Sequence, residues 1–204
     1  MSNTTALITT LTCPAVSPDP STLSASIPLQ EDSVPMTARD GLIAIAGLLA
    51  PDQPEVAHRA TAAHDDPAGY VQRHAARLDH RGITEPVPIL PWIALIDALR
   101  DYRLVAEIDW KEGPEEVVRA LRGLRSSPRD GWDWFGDDER FHVRTEVFLR
   151  MTAENLRPTG VSLSSLDIDS DCCPLVLPPA ARTTELNNLA KFVGYRVFQF
   201  STES

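Results

Sequence analysis

Three aspartates spaced by two, Asp167, Asp169 and Asp171, stand at a corner between two apolar stretches, Leu166–Ile168 and Pro174–Leu177. Unpaired carboxylates crowded together are costly, so such a corner calls for solvent, a cation or a basic partner. Asp-x-Asp-x-Asp opens a calcium loop, but the sixth position here is Cys172 where the sharp turn wants Gly, and the twelfth is Pro178 where a bidentate Glu belongs. A different divalent site remains open. Asp167 and Asp169 share one face of a strand, and Asp109 or Glu112 could complete the oxygens that magnesium needs. If the strand carrying Asp109 neighbours the one carrying Asp167, the two carboxylates could instead act as the general acid and base of a hydrolase or sugar-acting enzyme. The simpler reading is preferred: a solvated turn in which Asp and Ser bond their own backbone.

Other chemistry has less support. Cys172 and Cys173 lie at the start of a strand, with no Gly-rich elbow around them. None of the five histidines is paired at i, i+4, and no phosphate-cradling glycine loop occurs. His74 falls on an apolar stripe and reads as a core residue. No catalytic residue is therefore assigned. The strongest binding candidate is the loop Trp132, Asp133, Trp134, Phe135, Asp137 and Asp138, because Trp contributes strongly at interface centres and the aspartates would suit a basic partner. The opposing reading is that these aromatics fold back over the sheet edge.

The elements that must position these groups follow from periodicity. Residues 1–35 are rich in Ser, Thr and Pro and read as a flexible tail, followed by one globular domain over 36–204. Thr37 to Asp40 forms a capping-box pattern, and Leu42, Ile45, Ala46 and Leu49 then mark one helix face up to Pro51. A helical region within 54–81 and a clean helix over 88–101 come next. A strand is expected over 103–109, a helix from Pro114, a loop over 126–140 and a helix over 141–157. Strands at 161–168 and 173–178, a helix ending at Gly194 and a last strand to Phe200 complete the chain. The pattern predicts an α+β fold, a small sheet of about four strands packed on one face by several helices.

Composition narrows the function classes. A formal net charge of −10 and a pI near 4.9 disfavour nucleic acid and anionic membrane surfaces, and favour a basic protein partner. Three cysteines, two of them adjacent, do not suggest a disulfide scaffold or a zinc site. No apolar run reaches the roughly 18 residues of a spanning helix, and the N-terminus lacks a signal-peptide pattern. A cytoplasmic protein is expected.

The segments Pro91–Leu99, Ile108-Asp109-Trp110-Lys111-Glu112 and Leu166-Asp167-Ile168-Asp169-Ser170-Asp171-Cys172-Cys173-Pro174-Leu175-Val176 together resemble a bacterial family of uncharacterised domains. The likeness covers roughly residues 88–200, through a tryptophan-lysine-acid segment and a late L-D-x-x-S-D-x-Y-P-x-V pattern. Cys173 stands where that pattern has Tyr. The resemblance implies no reaction. The resulting expectation is a cytosolic, non-enzymatic protein-binding domain, of the type of immunity proteins that neutralise a basic toxin or effector. No cofactor is expected. The rival is a divalent-metal-assisted hydrolase or sugar-acting enzyme using Asp109, Asp167 and Asp169, with the ion at Asp167, Asp169 and Asp171.

Overall fold

The computed structural model describes residues 35–136 and 143–200. Apart from Pro35, the expected N-terminal tail lies outside them. The elements run α1 (Ala38–Leu49), α2 (Pro54–Asp65), α3 (Pro67–Arg73), α4 (Ala75–Asp79), α5 (Leu90–Asp101), β1 (Ala106–Asp109), α6 (Pro114–Arg122), α7 (Thr145–Leu156), β2 (Ser164–Leu166), β3 (Cys172–Val176), α8 (Thr183–Phe192) and β4 (Val197–Gln199). The strands form one antiparallel sheet in the order β1-β3-β2-β4. The fold is α+β, as the periodicity predicts.

Several local predictions hold for identifiable reasons. At the start of α1 the Thr37 hydroxyl accepts the Asp40 amide and the Asp40 carboxylate accepts the Thr37 amide, which is the reciprocal capping box. Helix α5 is buried along nearly its whole length. The region 54–81, by contrast, is three helices. Asp66-Pro67 breaks it first, because proline has no amide to continue the ladder, and it breaks again at His74. His74 is half-buried, its ring 4.2 Å from that of Tyr70. The strand expected from 103 begins only at Ala106. Arg103 takes a left-handed φ of 57°, and the Leu104 amide returns to the Leu99 carbonyl at 2.9 Å, closing α5.

The helices pack on both faces of the sheet rather than one. Successive residues of β3 belong to different clusters. Leu175 packs with α6, α7 and Ile108, whereas Val176 packs with α1, α5, α8, Val105 and Val197. Period-two alternation in a strand covered on both sides requires this division. A third cluster joins α2 to α5 around Tyr70, Leu78 and Ile93. The β2–β3 ladder stops at Leu175, one residue before Pro174, which has no N–H to extend it. Among the described residues no helix is long and apolar enough to cross a membrane.

Candidate functional site

The acidic corner is a self-bonded turn. One Asp167 carboxylate oxygen accepts the Asp169 amide at 3.0 Å, and the other pairs with the Arg196 guanidinium at 2.7 Å. The Ser170 hydroxyl accepts the Cys172 amide at 3.2 Å. Asp169 sits at φ 53°, a conformation that aspartate tolerates well. From outside the turn, the Trp92 indole N–H donates to the Asp167 carbonyl at 2.9 Å. Asp169 and Asp171 point to solvent. Asp167 is thus engaged by Arg196 and by its own turn, which favours the reading of a self-bonded turn over a divalent site. Among the described residues no group of three His, Cys, Asp or Glu is placed to hold one.

Asp109 and Asp167 do not stand on neighbouring strands. Strand β3 stands between β1 and β2, which puts the Asp109 backbone about two interstrand spacings, ~10 Å, from the β2 strand. Asp109 is exposed and its carboxylate accepts the Lys111 amide at 2.8 Å, capping the turn into α6. Glu112 is half-buried and uses its carbonyl to accept the Thr145 hydroxyl at 3.0 Å.

The aromatic loop folds inward. Trp132 is 5% exposed, its indole N–H donates to the Pro128 carbonyl at 3.2 Å, and the Arg122 guanidinium lies 5.5 Å from its ring. Trp134 and Phe135 are half-buried, each with its ring 5.7 Å from Phe148 in the cluster under α7. Gly131 makes this possible: at φ 91°, a β-carbon there would come 2.6 Å from the Thr159 methyl. Trp132 is part of the core and Trp134 and Phe135 are partly buried against it, which favours the reading that these aromatics fold back rather than face a partner. Asp133 is exposed, and Asp137 and Asp138 lie outside the described residues.

What the sequence did not single out is Trp110. It is 52% exposed at the end of β1, with the Lys111 ammonium 4.8 Å from its ring and its amide bonded to the Asp171 carbonyl at 3.1 Å. It borders a groove of about 550 Å³ whose apolar walls include Val143, Leu149, Cys173 and Phe200. Val147 in the first turn of α7 and Phe198 in β4 are 38% and 50% exposed. Charges of both signs line the groove, Glu112 and Glu146 with Lys111 and Arg144, and Asp171 is hydrogen-bonded to Trp110 through its backbone. The signal was present in Trp110-Lys111-Glu112, a large aromatic set between charged residues at a strand end, where burial is hard to arrange.

The cysteines bordering this region are poor nucleophiles. Burial, with Glu107 beside it, pushes the Cys172 thiol up to about 11, and burial with Asp109, Asp167 and Asp171 nearby raises Cys173. Only the thiolate attacks an electrophile. For Cys172, a rise from 9.0 to about 11 means roughly a hundredfold less thiolate than a free thiol near neutral pH. Alkylation of the native protein by iodoacetamide, read by mass spectrometry, should accordingly be slow at Cys172 at pH 8 and accelerate as the pH approaches 11. Fast labelling at pH 8 would contradict this.

A buried ionic cluster was also missed. Asp97, 1% exposed within the otherwise apolar α5, pairs with Arg81 at 2.6 Å, and Arg81 pairs with Glu107 of β1 at 2.6 Å. Arg100 reaches Glu107 at 2.9 Å and Asp97 at 3.5 Å. An aspartate inside a buried helix must find a cation, and this is the sequence signal that points to Arg81. The cluster ties the end of α4 to α5 and β1.

A family model described as "Domain of unknown function (DUF6630)" matches residues 41–201, and the chain belongs to that family. The match agrees with the expectation of an uncharacterised domain family. No curated protein and no solved structure matches the chain.

Proposed function

We propose that this member of the DUF6630 family is a non-enzymatic binding domain that docks a basic protein across the groove beside Trp110. The observation carrying this reading is that two exposed apolar side chains, Trp110 and Val143, line one groove with Leu149 and Phe200, while Trp132 is packed away. Large apolar residues left at the surface of an otherwise well-packed chain mark interaction sites, and an aromatic ringed by polar groups is the usual energetic centre of one.

Charge complementarity selects the occupant. The chain carries a net charge of −10, and Asp109, Asp169 and Asp171 are exposed at the sheet end from which Trp110 projects. Arg196 pairs with Asp167 of the same corner, and none of Asp109, Asp169 and Asp171 has an ion pair among the described residues. A partner presenting an apolar side chain flanked by Lys or Arg would gain both contact area and faster encounter. Within this reading the partner is a basic toxin or effector, neutralised in the cytoplasm by occlusion of its surface.

The test begins with capture of partners from the native host, followed by purification of the captured protein and measurement of its affinity. Trp110→Ala should weaken binding by at least about 2 kcal/mol, roughly thirtyfold. Asp133→Ala should leave it unchanged, and the urea midpoint of Trp110→Ala should stay near that of the wild type because the side chain is half exposed. Full affinity in a folded Trp110→Ala protein would remove the proposal.

A further inference from the structure

We infer that a second, independent site lies where β3 ends, and that it takes a small monocarboxylic acid with an apolar body. A cavity of about 400 Å³ opens there, between the end of α1, the turn after α6 and the chain leaving β3. This is within the size range of pockets that hold small molecules. Its walls are apolar: Leu48, Leu49, Leu104, Val161, Val176 and Pro178. Three of them, Leu48, Leu49 and Val176, are themselves buried and belong to the core cluster on that face, so the walls are fixed by packing rather than by loose loops.

Polar groups interrupt the lining after α1, at Asp52 and Gln53, and after α6, at Arg125 and Ser126. Arg125 lines the cavity and is exposed, and among the described residues its guanidinium makes no ion pair or hydrogen bond. Its backbone is held, since the Arg125 amide donates to the Arg103 carbonyl at 2.8 Å. Ser126, also on the lining, has a buried hydroxyl with no hydrogen-bond partner among the described residues.

The chemistry of the rim narrows the ligand. A guanidinium presents two parallel donors that match one carboxylate. Asp52 shares the lining with Arg125, so a phosphate dianion would meet repulsion that a carboxylate monoanion meets less. The apolar walls reject a small hydrophilic anion, because it would lose hydration against Leu and Val without recompense. An acid with a short alkyl or aryl body meets all three conditions: the body in the cavity, the carboxylate on Arg125.

Octanoate is the probe, titrated into the full chain and followed by amide NMR, with octan-1-ol as the neutral analogue of equal chain length. Saturable shifts at Ala50, Val161 and Arg125 at millimolar octanoate are expected. Octanol should bind at least about tenfold more weakly, the worth of one charge-assisted contact. Arg125→Gln should weaken octanoate to the level of octanol and leave octanol unchanged. Equal affinity for octanoate and octanol in the wild type would overturn the inference without recourse to any variant. Absence of saturable shifts, or full octanoate affinity in Arg125→Gln, would overturn it as well. Protein capture through Trp110 is a separate readout, so each proposal can fail alone.

Discussion

Arg81→Ala is expected to lower the free energy of unfolding by about 3–5 kcal/mol, measured as the shift in a urea titration. Arg81 is the common partner of two carboxylates that have little access to water: the Asp97 and Glu107 side chains are 1% and 13% exposed. Removing it leaves both acids to Arg100, whose side chain is 46% exposed and sits 3.5 Å from Asp97. Water screens that remaining cation, so it cannot replace the lost one. The cost arises from stranding charge, not from losing an inherently strong bond. It follows that the double change Arg81→Met with Asp97→Leu should cost less than Arg81→Ala alone, because it removes the more deeply buried of the two stranded acids and leaves Glu107 to Arg100. A double change that costs at least as much as Arg81→Ala would contradict this explanation.

Trp92→Ala is expected to cost a similar amount, about 3–5 kcal/mol. The side chain is fully buried in α5, its ring is stacked 4.8 Å from Tyr195, and its N–H reaches the Asp167 carbonyl. Truncation opens a cavity at the centre of the larger core cluster and releases the acidic corner at once. Trp92→Phe separates these effects: much of the ring volume stays and the donor goes, so a loss of about 1–2 kcal/mol is expected. In both variants the Asp169 and Cys172 amides should exchange with deuterium faster than in the wild type, since the corner loses its tether to α5. An unchanged exchange rate there would show that the turn holds itself.

Trp92 also illustrates how far the sequence could be read. Its place on an apolar helix face was legible from the spacing of Leu95, Ile96 and Leu99, and the capping box at Thr37 was legible from two residue types three apart. The run Leu175-Val176-Leu177 held a further clue, because a strand apolar on both parities has cover on both faces, and a sheet packed on one side only does not satisfy it. The relation between the candidate acid–base carboxylates depends on strand order. No residue type records that β3 inserts between β1 and β2, so the approach of Asp109 to Asp167 could be argued only conditionally. The reading of the aromatic loop depends on direction. Trp132 and Trp110 each sit among charged residues in the sequence, yet one turns into the α7 cluster through Gly131 and the other stays at the surface. That choice is made by tertiary packing, which local composition does not encode.

The same contrast between the tryptophans supplies a direct test of the docking surface. Trp92 and Trp132 are shielded, Trp134 is half-buried against Phe148, and Trp110 is half exposed. Iodide should therefore quench a component of the fluorescence that disappears in Trp110→Phe. Adding the purified basic partner at saturating concentration should protect that component from iodide. Binding that leaves the Trp110 component as accessible to iodide as in the free protein would contradict the account.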